Sequence, residues 1–441
     1  MKSQKNTHNK KTTTKRKRKP KVRLERLALV IGVFVLFCAS IIGLGSWGIR
    51  AIFGSGSSEN TAQRENKQPH ITNETDTSKI AGPDQKKVTD GQILITATGD
   101  VLLEEAILNY FSSGDWKDYI DELKPIFEAD NLTIANQEVP IGGEELGIEG
   151  INYRFNAPVA TAMNLKSSGI DFVSLANNHS MDRGLEGIIN THVNLDEAGI
   201  AYTGTWTEEE LSDSITYQTV DGIKIGIISY TYDCNQIVDP VWSVNIFGSF
   251  WDERAQKLLD QVAAARNDAD AVIVCMHWGI EFTYGLSEDQ IQLAQALADA
   301  GADVIIGNHP HTIQPAEWLQ TADGRNVLCF YSLGNLISSA YEVSRADEQF
   351  QNMYEVGAIA QFSLEKKDDE SVSVLNPKLI PIVNHFENDY SGFKLYKLKD
   401  YTEELAARHD QRSYSDLFTV QYLKDQVHSV FDPSGIELEL D

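Results

Sequence analysis

From Ile93 onward, short apolar runs alternate with longer stretches of helical periodicity. Ile93 to Thr98 predicts a strand ending at Gly99-Asp100, because a short apolar run closed by a turn pair suits a buried strand and is too brief for a helix. Leu132 to Ala135, Phe172 to Ala176, Lys224 to Tyr230, Ala271 to Met276 and Val304 to Ile306 repeat the pattern. Tyr119 to Asp130, Val159 to Ser168, Leu185 to Ala198, Arg254 to Arg266 and Ser287 to Ala300 space their apolar residues by three and four, which predicts helices between those strands. Such a β-α-β-α order predicts an α/β core with at least partly parallel strands. After Val327 the pattern turns mostly to strand, through Tyr331, Val356 to Phe362 and Val372 to Leu379, and predicts the second sheet of a sandwich. Weak helical periodicity around Tyr401 to His409 and Ser415 to Val430 predicts a helical extension over residues 386–441.

Charge divides the chain more sharply than its net −26 suggests. Residues 1–26 hold 12 of the 38 Lys and Arg and a single acid, Glu25, whereas beyond Arg50 there are 25 basic and 63 acidic residues, a net −38. Between them, Leu27 to Ile49 carries no charge, and at about 1.5 Å per residue it is long enough for a helix to cross a bilayer core. The run exceeds a typical signal-peptide core and no small-x-small site precedes a mature start, so an uncleaved anchor is expected. The basic block before it predicts a cytoplasmic N-terminus and an extracellular C-terminal domain. A basic tail abutting a membrane span needs no nucleic acid as partner. Gly, Ser, Asn, Thr and Lys dominate residues 50–90, as in a flexible tether. The expected order is tail (1–26), transmembrane helix (27–49), linker (50–90), main domain (91–385) and extension (386–441). Four cysteines, one of them (Cys38) within the apolar span, indicate no disulfide framework.

The residues with chemistry to offer cluster just after predicted strands. Asp100 ends the first, Asn136 and Glu138 follow the second, and Asn177, Asn178 and His179 follow Phe172 to Ala176. His277 follows Met276, and Asn308, His309 and His311 follow Ile306. Carboxyl ends of strands in open α/β sheets form the binding crevice, so these groups should converge. Oxygen and imidazole donors without thiolates suit Mn, Zn or Fe(II), as one or two ions. Across Pro310, His309 and His311 can point to opposite sides of an extended segment and reach two metals, which would polarise an electrophile and activate water. Singly, each has a plainer structural reading. Gly-Asp closes many turns, Asn177-Asn178 is a loop signal, His179 suits a helix cap, and His277 beside Trp278 suits a hydrogen-bonded core histidine. Their repetition at successive strand ends is what favours a site.

In order, the chain carries Ala97-Thr98-Gly99-Asp100-Val101, Ala135-Asn136-Gln137-Glu138, Arg154-Phe155-Asn156-Ala157-Pro158 and Leu175-Ala176-Asn177-Asn178-His179-Ser180-Met181-Asp182. His277-Trp278-Gly279-Ile280-Glu281, Gly307-Asn308-His309-Pro310-His311 and Tyr331-Ser332-Leu333-Gly334-Asn335 follow. Together these segments resemble the CapA/PgsA poly-γ-glutamate synthesis proteins, a family with a calcineurin-like metallophosphatase fold and a membrane anchor. The resemblance implies a metallophosphatase-like α/β/β/α sandwich preceded by a single N-terminal transmembrane helix. Carried over residue by residue, it implies that Asp100 and His311 hold one metal, that Glu138 bridges, and that Asn178, His277 and His309 complete a second site. By the same resemblance His179 would be the catalytic general acid, with Arg154 and Asn177 meeting substrate. Two departures stand out: Leu102 occupies a position where the pattern has histidine, and Glu138 replaces an aspartate.

The function so implied is poly-γ-glutamate (capsule) synthesis, export or attachment, with poly-γ-glutamate or another anionic cell-surface polymer and membrane-bound synthase subunits as partners. A domain of net −38 repels polyanions in general, so binding would depend on metal ions and a few basic groups such as Arg154 and Arg183. An extracellular metal-dependent phosphoesterase or hydrolase, acting on a cell-wall or nucleotide substrate, is the alternative on fold alone. A non-catalytic scaffold for a synthase complex is the third reading.

Overall fold

A computed structural model of the chain describes residues 91–151, 154–339, 352–388 and 390–440, together with the backbone of Thr75–Asp76. The expected tail and transmembrane helix, and the linker apart from that pair, lie outside the described residues. Among the described residues, no helix is long and apolar enough to cross a membrane.

Among the described residues, sixteen strands in two sheets form the frame. In chain order they are β1 (Thr75–Asp76), β2 (Gln92–Val101), β3 (Leu132–Gln137), β4 (Phe172–Ser174), β5 (Ala201–Thr203), β6 (Thr216–Val220), β7 (Ile223–Thr231) and β8 (Ala271–His277). Next come β9 (Val304–Asn308), β10 (Ile313–Gln320), β11 (Asn326–Leu333), β12 (Asn335–Ile337), β13 (Val356–Lys366), β14 (Val372–Glu387), β15 (Ser391–Lys397) and β16 (Glu437–Leu438). The first sheet runs β1-β6-β7-β8-β9-β11-β10, and the second runs β15-β14-β13-β2-β3-β4-β5, with β12 beside β2 and β16 beside β14. Strands β2 to β5 are mutually parallel, as are β7, β8, β9 and β11.

Side-chain alternation assigns the faces. Ile93, Ile95 and Ala97 of β2, Leu132 and Ile134 of β3, Ile273 and Cys275 of β8, and Leu328 and Phe330 of β11 share one core between the sheets. Their sequence neighbours face outward. Val272, Val274 and Met276 pack with Leu258 and Val262 of the helix Glu253–Asp268 and with Leu293 and Leu297 of the helix Glu288–Ala300. Ala135 and Val173 pack with Leu165 of the helix Ala160–Ser167 and Leu195 of the helix Gly184–Ala198. The layers therefore run helix, sheet, sheet, helix, a mixed α/β architecture that forces these strands to be apolar on both faces.

The pattern and the structure part in three places. Tyr119 to Asp130 forms two short helices, Lys117–Ile120 and Lys124–Phe127, since Pro125 near the start of the second cannot continue the hydrogen-bond ladder of the first. The strands after Val327 build no separate second sheet. β11 joins β9 in the first, while β13 pairs antiparallel with β2 and extends the second. Within 386–441 the strands β15 and β16 pair with β14, and the helix Val420–Phe431 sends Leu423, Val427 and Phe431 into the inter-sheet core.

Candidate metal centre

Strands β2, β3, β4, β8 and β9 all deliver polar side chains at their carboxyl ends, and the chain has to pack very closely there. A Cβ on Gly307 would overlap the carbonyl oxygen of Tyr331, and one on Gly99 would overlap that of Gly334. Only glycine permits such backbone approach. The second contact draws the link between β11 and β12 onto β2, where the Asp100 N–H donates to Gly334 O at 2.9 Å.

Glu138 is the centre of the cluster. It is fully buried, and neither carboxylate oxygen has a hydrogen-bond partner. Its Oε1 lies 3.6 Å from His311 Nε2 and 3.7 Å from His277 Nε2. Glu138, His309 and His311 each present a donor atom within 4.8 Å of the other two. Asp100 stands just behind. Its Oδ1 accepts from Asn136 Nδ2 at 2.7 Å, and its Oδ2 accepts from the His309 N–H at 3.2 Å and lies 3.3 Å from His311 Nδ1. Asn178 Oδ1 sits 2.9 Å from His277 Nε2, and the His277 and His309 rings are 4.7 Å apart. The structure thus brings together all six residues expected as ligands. His309 and His311 both adopt positive φ, 100° and 56°, so the turn around Pro310 is itself strained into shape.

Electrostatics follow from burial and from the charges that the clustered groups place on one another. Burial pushes the Glu138 carboxyl well above the ordinary carboxylate range, and the Asp100 charge adds to it. Burial holds His277 and His309 well below the usual imidazole value, helped by His309 and His311 in the first case and by His311 and His179 in the second. His311 goes the other way, to about 10, because the Glu138 charge and the Asp100 hydrogen bond outweigh its burial. The Glu138 carboxylate without hydrogen-bond partners and the imidazoles of His277, His309 and His311 make a donor set that suits a divalent cation. The fit is strengthened by another buried polar atom without a partner, His309 Nδ1.

His179 belongs to the rim of this cluster. Its Nδ1 lies 2.7 Å from Asp182 Oδ2, and since a carboxylate only accepts, Nδ1 carries the hydrogen and Nε2 is turned outward, 3.4 Å from Asn235 Nδ2. Phe155 packs edge-on against the ring at 4.7 Å. The other two expected contacts differ from it. Asn177 spends its amide on the loop, donating to Gln137 O and Leu175 O and accepting from the His179 N–H. Arg154 is exposed, and its guanidinium has no bonding partner among the described residues.

Three supporting residues received no role from the sequence, although Asn136 stood among the strand-end candidates. Asn335 Oδ1 lies 2.9 Å from His311 Nδ1, Asn136 ties Asp100 to Ser174 Oγ at 2.9 Å, and Asp182 orients His179. Each bears the same signal as the ligands, a polar residue just past a strand or one turn from a histidine. No local pattern tells the layer of residues that orients ligands from the ligands themselves.

This fold and site define a two-sheet α/β protein with an imidazole–carboxylate cluster at the carboxyl ends of its parallel strands. The family model for the bacterial capsule synthesis protein PGA_cap matches residues 94–340, which include every member of the cluster, and the chain belongs to that family. It is 27% identical over 276 residues to the PGA biosynthesis protein CapA of Bacillus subtilis (strain 168), covering 59% of this chain and 67% of that protein. It is 28% identical over 257 residues to the capsule biosynthesis protein CapA of Bacillus anthracis, covering 56% of this chain and 60% of that one. Among solved structures, the NAD nucleotidase (NadN) of Haemophilus influenzae has a TM-score of 0.39 at 14% identity, over 77% of this chain and 67% of the other. A likeness that distant says nothing about chemistry.

Proposed function

We propose that this chain takes part in poly-γ-glutamate capsule synthesis, export or attachment, and does so through a divalent-cation site built on Glu138, His309 and His311, with His277, Asn178 and Asp100 around them. The observation that carries the reading is the buried, unbonded Glu138 carboxylate among imidazoles, inside a segment that matches a capsule-synthesis family. The relatives named for capsule and PGA biosynthesis support the same direction. Anchoring by residues 27–49, with the domain outside the cell beside membrane-bound synthase subunits, completes the proposal and is supported by the charge asymmetry around that span.

A bound divalent cation supplies Lewis acidity and lowers the pKa of water beside it. The chain's own contribution is positional. Asp100 and Asn335 fix the His311 ring, Asn136 links Asp100 to His277, and Asp182 keeps the hydrogen of His179 on Nδ1 so that Nε2 is left as the acceptor. With one exposed arginine and no buried Lys or Arg among the described residues of the cluster, recognition of an anionic substrate would fall largely to the cation.

The test is a cellular one. His309→Ala in the chromosomal copy should abolish or sharply reduce surface polymer at unchanged protein abundance, measured by immunoblot of the chain alongside polymer quantification. Normal polymer in that strain would overturn the reading. Should the purified full chain instead hydrolyse p-nitrophenyl phosphate in a His179-dependent way while ignoring γ-glutamyl oligomers, the phosphoesterase alternative would replace it.

A further inference from the structure

Strand β7 ends level with β8, Thr231 lying opposite His277, and the loop that follows is fastened to the site. The Tyr232 N–H donates to His277 O at 3.0 Å, and the Tyr232 ring lies 4.7 Å from that of His309. Two residues on, Cys234 Sγ donates to Asn177 O at 3.5 Å, and the Asn235 N–H donates to Asn178 O at 2.8 Å. The loop also braces itself, since Thr231 Oγ1 donates to Asp233 O and the Cys234 N–H to Asp233 Oδ1, both at 2.9 Å. These bonds fix the point from which the Asn235 side chain starts.

From there the carboxamide reaches His179, with Nδ2 3.4 Å from the ring Nε2. Because the Asp182 bond keeps the hydrogen of His179 on Nδ1, Nε2 offers only a lone pair, and the amide must turn its NH2 toward it. At that length the bond lies beyond the common range of about 2.7–3.2 Å, so it is weak and readily exchanged. Asn235 is exposed, and its other N–H and its Oδ1 have no hydrogen bond among the described residues. One planar group thus holds a donor and an acceptor ready beside the imidazole. An amide link in a substrate presents a carbonyl and an N–H that such a group can answer together, whereas a phosphate dianion presents acceptors alone and leaves Oδ1 unanswered. The other partners of His179 are Asp182, Asn177 and the Phe155 ring, none of them a cation that would favour phosphate.

We propose that Asn235 is a substrate-positioning residue, which covers His179 Nε2 in the resting protein and gives up the ring to hydrogen-bond the amide link of an entering γ-glutamyl chain. The inference rests on the poly-γ-glutamate reading above and deepens it by naming the group of the polymer that is held and the residue that holds it. Leaving the ring frees Nε2 for the same substrate, so Asn235 and His179 change partners together.

The experiment is protection of His179 from diethyl pyrocarbonate, which acylates the unprotonated nitrogen of a neutral imidazole, here Nε2. Trypsin releases His179 in the peptide 167–183 as its only histidine, so mass spectrometry reads its rate alone. The purified full chain with Mn²⁺ is titrated with tetra-γ-glutamate and, separately, with inorganic phosphate, as wild type, Asn235→Ala, Asn235→Leu and Ile237→Ala. Leucine keeps the bulk of asparagine without its hydrogen bonds, and Ile237, 90% exposed on the same loop, is the control. The expected result is an oligomer concentration for half protection about fivefold higher in both Asn235 variants, the weight of one hydrogen bond, with Ile237→Ala like the wild type. Without oligomer, His179 should react about threefold faster in Asn235→Ala, where Nε2 has lost its cover. Half protection by phosphate should stay within twofold of wild type throughout. Asn235→Leu and Asn235→Ala within twofold of wild type for the oligomer overturn the Asn235 assignment and leave the poly-γ-glutamate reading standing. Equal loss of oligomer and phosphate protection also overturns it, because the substitutions would then have disturbed the site and not one contact. An oligomer that fails to protect His179 in the wild type overturns both.

Discussion

Gly307→Ala probes the close approach that shapes the site. Gly307 is in β9, immediately before Asn308 and the two histidines, and a Cβ there would overlap Tyr331 O in the neighbouring β11 and sit 2.6 Å from Trp278 Nε1. Trp278 Nε1 now donates to that same carbonyl at 2.8 Å, and both groups are buried. Forcing a methyl into a packed interior costs about 1–3 kcal/mol, and a buried donor left without its acceptor costs about another 1–3 kcal/mol. Against this, alanine restricts the unfolded chain and returns about 0.4–1 kcal/mol. The net expectation is a loss of about 2–5 kcal/mol, read as a lower urea midpoint at an unchanged slope, together with weaker Mn²⁺ binding because the His309-Pro310-His311 turn hangs on the displaced strand. Gly285→Ala is the control. Nothing lies within 4 Å of its would-be Cβ, so it should keep both stability and affinity. A Gly307→Ala protein that unfolds with the wild type and binds Mn²⁺ equally well would refute the claim that backbone contact between β9 and β11 holds the site.

Further expectations can be measured on the same protein. Mn²⁺ at a hundred times its dissociation constant should raise unfolding free energy by about 2.7 kcal/mol over chelator-treated protein, and superimposable urea curves would count against a cation site. Asp182→Ala strips the acceptor from both His179 Nδ1 and the buried Phe155 N–H, which should cost about 2–4 kcal/mol in the urea assay; a neutral result would mean that the dyad is not structural. Burial lowers His192 to about 3, so below pH 6.5 the unfolded chain takes up a proton that the folded chain refuses. Stability should then fall as pH drops from about 6.5 toward 3, by about 1.4 kcal/mol per unit from this group. His192→Gln should flatten that part of the profile, and an unaltered slope would show that the group is not buried neutral.

Strand positions were written in the sequence because two-sided burial leaves a local mark. Ile93 to Thr98, Ala271 to Met276 and Val304 to Ile306 are apolar runs with polar residues at one end, and in the structure they are strands whose ends meet at the cluster. The same mark exposed Glu138, His277, His309 and His311 as candidates, since a buried site must interrupt an otherwise apolar pattern at fixed places. Pairing left no such trace. That β13 lies antiparallel on β2, that β11 joins β9, and that Gly334 presses on Gly99 and so carries Asn335 to His311 are matters of contact between residues far apart in the chain. Pro125 could be read as a local break, but Asp100 turning its oxygens to Asn136 and the histidines could not, because hydrogen-bond partners are chosen by the packed fold as a whole and not by the residues on either side.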